Sequence, residues 1–85
     1  MNYKRVTSDI NGNPRYVFHF FNFLNDEEKK GNTSDSYNLA TKKAKQIGGK
    51  KYRGKDFGGG IVLQSYNIQD TINEIKELQN QTLCL

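Results

Sequence analysis

The sequence has one cysteine (Cys84), one proline, one histidine and no tryptophan. A single thiol cannot build a disulfide framework or a zinc site, so a reducing environment is expected, with no metal and no cofactor. Long apolar runs are missing too: nothing approaches the roughly 20 residues of a membrane-spanning helix. The N-terminal Met-Asn-Tyr-Lys-Arg-Val-Thr-Ser-Asp has no apolar stretch behind its charges of the kind an export signal needs. A cytoplasmic protein without a membrane anchor is the expectation. Arginine is scarce, at three residues against ten lysines and ten asparagines. AT-rich codons favour Lys and Asn, so the number of lysines carries no functional argument; only their placement does.

Apolar residues make up only 34% of the 85-residue chain, and the core must lean on five Phe and five Tyr, each able to bury about 150–250 Å². One domain spanning 1–85 is expected, burying about 60% of the surface its unfolded chain exposes. A large catalytic cleft would compete with that core for material. Chemistry-bearing residues are thin as well. His19 lies among phenylalanines, where a lone histidine is ordinarily a satisfied structural residue, and no serine is framed as a nucleophile elbow. The acids Asp26, Glu27 and Glu28 are contiguous in a polar segment and read as a solvated face rather than a metal site. No enzyme is expected.

Residues 1–24 read as an N-terminal hairpin. Alternation from Tyr3 to Ile10 gives one strand, Asn11-Gly12 is the strongest short turn signal because both residues tolerate positive φ, and Arg15–Leu24 returns as a second strand. Phe18 and Phe20 on one face of that strand, with Phe21 and Phe23 on the other, demand cover on both sides. Part of this set is therefore expected to form a partner or homodimer contact. Residues 25–36 contain no apolar side chain and read as a polar loop. Within 37–79, Thr33, Ser34 or Ser36 caps a helix with a stripe of Tyr37, Ala40, Ala44 and Ile47, stopped by Gly48-Gly49. Lys50–Arg53 is a short strand and Gly60–Tyr66 another, and Asn67 caps a last helix with the stripe Ile68, Ile72, Ile75 and Leu78. The fold class is α+β: order ββαββα, a three- to four-stranded, mainly antiparallel sheet and two helices. Gly58-Gly59-Gly60 precedes a strand rather than a helix, so it is a turn or bulge that lets a strand pass close to the helix end, not a phosphate loop.

Charge is the sharpest signal. Between Lys42 and Lys55 the chain carries +7, while the remainder sums to −3. Lys42, Lys43, Lys45, Lys50, Lys51, Arg53 and Lys55 are expected to share one electropositive surface, because only Gly48-Gly49 separates the helix end from the next strand. Tyr52, between Lys51 and Arg53, adds an aromatic face of the kind that stacks on bases. Backbone contacts to DNA or RNA are the leading expectation, made without a complete nucleic-acid-binding motif.

In its style (short, single-domain, Asn- and Lys-rich, ending soon after an amphipathic helix) the chain resembles the small proteins encoded by phages and mobile elements of low-GC bacteria. That resemblance implies two function classes. One is a nucleic-acid-binding accessory protein. The other is an inhibitor that binds a host defence protein, as anti-CRISPR proteins do, its cations meeting an acidic surface on the target.

Overall fold

A computed structural model describes residues 1–6, 8, 10–53 and 58–81. Strands β1 (Tyr3–Val6) and β2 (Arg15–His19) are followed by a short helix α1 (Asp26–Lys29) and helix α2 (Thr33–Ala44). Strands β3 (Lys50–Tyr52) and β4 (Gly60–Gln64) lead to helix α3 (Ile68–Asn80). The expected α+β class is found, and the order ββαββα holds apart from the additional short helix α1, with a four-stranded sheet in the order β1-β2-β4-β3 and every neighbouring pair antiparallel. Strands β2 and β3 both run against β4 and so run parallel to each other. Such a pair cannot be joined by a tight turn, and the segment containing α2 supplies the crossover.

Register decides which side of the sheet is the core. Phe18 sits opposite Ile61 and Tyr16 opposite Leu63 across β2 and β4, while Tyr3 of β1 faces Phe18. Phe18, Ile61 and Leu63 pack with Leu39, Ala40 and Ala44 of α2 and with Ile75 and Leu78 of α3. Both long helices therefore cover the same face. The opposite face carries the cross-strand row Lys4, Val17, Val62 and Lys50. Among the described residues no helix is long and apolar enough to cross a membrane.

Several expectations are corrected. The first strand ends at Val6 rather than Ile10, whose side chain stands fully exposed. In the turn that follows, Gly12 takes a positive φ (79°) but Asn11 does not, so the hairpin is closed by a longer connection and not by a two-residue type I′ turn. The second strand ends at His19 rather than Leu24. There the imidazole Nδ1 accepts the Phe21 N–H at 3.2 Å and a 3-10 turn occupies Phe20–Phe23. With three residues per turn, Phe20 and Phe23 fall on the same side and both enter the core. Phe20 and Phe23 are thereby buried, Phe18 is buried within β2, and of the four expected contact residues Phe21 stays exposed, at 41%.

The polar stretch 25–36 is largely helical. Asn25 and Glu28 form a reciprocal capping box that holds α1, with N···O distances of 2.9 and 3.0 Å. Asn32, one residue before the expected caps, accepts the Ser34 N–H and opens α2. Ser36, Leu39, Ala40, Lys43 and Ala44 form the buried side of α2, while Tyr37 and Ile47 are only partly covered. Helix α3 behaves as its sequence predicts: Asn67 accepts from the Gln69 and Asp70 N–H groups, and Ile75 and Leu78 are buried with Ile68 and Ile72 half-covered beside them.

Candidate functional site

The end of α2 and the start of β3 are folded back on each other. Gly48 closes the helical segment in the left-handed conformation (φ 84°), and the Gly49 N–H donates to the Ala44 carbonyl at 2.8 Å. A Cβ on Gly49 would lie 2.6 Å from the Ala44 methyl and 3.2 Å from Ile61 Cγ2, so only glycine lets the strand pass flush against the helix end. The close approach assigned in the sequence to Gly58–Gly60 thus occurs at Gly49. The triple-glycine segment serves the Phe20 ring instead, which lies 2.6 Å from where a Gly59 Cβ would be, with the Phe20 N–H donating to the Gly59 carbonyl at 3.0 Å.

This reversal sets Lys42 and Lys45 beside Lys50 and Lys51. The four lysines, with Asn38 and Thr41, line one open groove, and no carboxylate is among its described lining residues. Lys51 is held in place, its Nζ 2.6 Å from Asn38 Oδ1 and 5.0 Å from the centre of the Tyr37 ring. Lys42, Lys45 and Lys50 are exposed, and among the described residues none is ion-paired. Four ammonium groups around one concavity focus a positive potential that raises the local concentration of anions.

The remaining expected site residues divide. Lys43 is completely buried, its Nζ 2.6 Å from Glu28 Oε1 and 3.5 Å from the Gln79 carbonyl. It leaves the surface because it lies three residues after Ala40 and four after Leu39, within the stripe that faces the core. Arg53 is exposed just beyond β3. Tyr52 is half-buried, and its carbonyl lies 3.5 Å from the Tyr37 hydroxyl, which also donates to the Gly60 carbonyl. Burial raises the Tyr37 hydroxyl above its ordinary pKa of 10.0, against smaller opposing effects of the Tyr52 backbone and the Arg53 charge. Lys55 lies outside the described residues, as does Cys84.

A second groove went unread in the sequence. Arg15, Lys50, Val62, Gln64 and Tyr66 are among the residues that line it, so Lys50 borders both depressions. Its residues come from three segments that meet only through strand order: Arg15 is registered against Gln64, and Lys50 against Val62. The one local signal was Tyr66, an aromatic next to a helix cap, and its ring is 76% exposed.

Fold and grooves together define a small α+β protein whose exposed cations gather where a helix end meets an edge strand. The chain belongs to the family of the Staphylococcus phage terminal repeat-encoded protein TreK, whose model matches residues 1–83. The resemblance to small phage proteins of low-GC bacteria is in agreement with that membership. No curated protein and no solved structure matches the chain.

Proposed function

We propose that this phage protein is a non-enzymatic accessory factor that binds nucleic acid in the host cytoplasm through the phosphate backbone. The observation that supports this reading is the groove of Lys42, Lys45, Lys50 and Lys51, whose described lining residues include four cations and no acid. Lysine meets phosphate as a compact point charge without fixed geometry. Such a site follows a polyanion's backbone rather than reading its sequence, and phosphate contacts of this sort position a protein without specifying bases.

Neutralising about four phosphates should make log K fall with log salt at a slope of roughly −3.6 on duplex and −2.8 on single strands. The test is an electrophoretic shift on duplex DNA, single-stranded DNA and RNA across a salt series. The doubly reversed Lys42→Glu, Lys45→Glu variant, changed at two exposed positions, serves as the control. Binding that weakens with salt and is lost in the reversed variant supports the proposal. Absence of any shift at low salt, with a host protein recovered on the bait from nuclease-treated lysate, overturns it in favour of an inhibitor directed at an acidic protein surface.

A further inference from the structure

We propose that the ligand is a single strand rather than a duplex, running from the lysine groove over Lys50 into the second groove, where an unpaired base stacks on Tyr66. The inference rests on the nucleic-acid reading above and deepens it. An exposed aromatic ring by itself says little, since isolated apolar side chains are normal on protein surfaces. Tyr66 differs in how it is held. Its hydroxyl is hydrogen-bonded to the Asn13 side chain. On one side of it in the chain, the Ser65 N–H donates to the Pro14 carbonyl at 3.1 Å; on the other, Asn67 caps α3. Tyr66 is 76% exposed yet tied at its tip and through both neighbours in the chain, so less of its freedom is left to lose when a base stacks on it.

The surroundings match a nucleotide strand. Arg15 and Lys50 stand two strands apart across β2, β4 and β3 and two residues apart along β4, roughly 12 Å at the usual spacings. Arg15, Lys50 and Gln64 thus line the groove beside Tyr66. Lys50 belongs to both grooves, so the positive track is continuous from the helix end to Tyr66. That track turns around the β3 edge of the sheet. A duplex, with a persistence length of about 50 nm, resists such a turn and keeps its bases stacked inside, out of reach of a ring. A single strand bends freely and exposes every base face.

Fluorescence anisotropy with a labelled oligodeoxythymidylate and a duplex of equal length, at one salt concentration, tests this. The single strand is expected to bind more tightly. Tyr66→Ala should weaken single-strand binding by about 5- to 150-fold, the usual worth of one base–aromatic stack, and leave duplex binding unchanged. Tyr66→Phe, which keeps the ring but loses the bond to Asn13, should fall between the unaltered protein and Tyr66→Ala. Equal binding of duplex and single strand, insensitive to Tyr66→Ala but abolished by Lys42→Glu with Lys45→Glu, overturns this inference and leaves the backbone reading standing. No binding of any nucleic acid overturns both. Should Tyr66→Ala fail to fold, photocrosslinking of the unaltered protein to a bromodeoxyuridine-containing strand decides. Adducts on the peptide containing Tyr66 support the inference, and adducts confined to other peptides overturn it.

Discussion

The buried ion pair between Lys43 and Glu28 offers the most direct check on how this chain is held together. Lys43 is fully enclosed and the Glu28 side chain is only 12% exposed. Glu28 also accepts the Asn25 N–H of the α1 capping box, while Lys43 reaches the Gln79 carbonyl, so one pair ties α1, α2 and α3. Deleting one member of a buried pair leaves an uncompensated charge and costs about 3–5 kcal/mol. Glu28→Ala should sit at the upper end, because the stranded ammonium is the more deeply buried group and a capping interaction is lost with the carboxylate. Lys43→Met should sit near the lower end, since Glu28 keeps the Asn25 N–H. An 85-residue domain has a total stability of only about 4–13 kcal/mol, and each 1 kcal/mol shifts Tm by about 4–8 °C at this size. Lys43→Met is therefore expected to melt about 12–24 °C lower. The double replacement Lys43→Met, Glu28→Leu should recover most of the loss, because an apolar pair of similar volume needs no charge compensation. Circular dichroism melts and urea titrations of the three variants measure this as a double-mutant cycle. A Lys43→Met protein within about 0.5 kcal/mol of the unaltered one would show that this lysine is not enclosed, and would return it to the surface charge.

Two further predictions test the core. Phe23→Ala should cost about 3–5 kcal/mol as a buried ring is replaced by a cavity, whereas Phe21→Ala should stay within about 0.5 kcal/mol; a reversed order in urea titration would place the 3-10 turn the wrong way round. The raised pKa of Tyr37 means the folded state holds that proton more tightly than the unfolded one. Its contribution is then complete below pH about 10 and fades as pH rises through the folded-state value. Tyr37→Phe should accordingly flatten the alkaline decline of stability, and a decline of unchanged steepness would contradict burial of the Tyr37 hydroxyl as its cause.

The element order was legible because its signals are local. Strand alternation, Gly48-Gly49 behind an amphipathic run, and Asn67 ahead of another each act within a few residues. What escaped was decided by contacts distant in sequence. Helix α1 has no apolar stripe and is held by a capping box. Lys43 reads as a surface cation unless one knows that Glu28, fifteen residues earlier, waits beside it. The second strand was extended too far because alternating phenylalanines look the same in a strand and in a 3-10 turn until His19 bonds to the Phe21 N–H. The lysine groove was partly legible, since cations on either side of a two-residue reversal must lie close. The second groove was not, because Arg15, Lys50 and Tyr66 meet only once the order β1-β2-β4-β3 is known.

Codon bias can supply many lysines, but it does not sort them from the acids. In α2 the acid of the first turn is Asp35 and the cations of the last turn are Lys42 and Lys43, an arrangement the helix dipole favours. Glu74 and Glu77 of α3 border a separate depression with Gln46, Ile47 and Gln81, away from the groove of Lys42, Lys45, Lys50 and Lys51. Four like charges at close quarters repel, which works against the compact state. Among the described residues the one lysine of α2 paired with a carboxylate is Lys43, which burial obliges to have one. The acids of α1 pair with Lys29, Lys30 and Lys43, while among the described residues Lys42, Lys45 and Lys50 pair with none, which leaves those three to the proposed polyanionic partner.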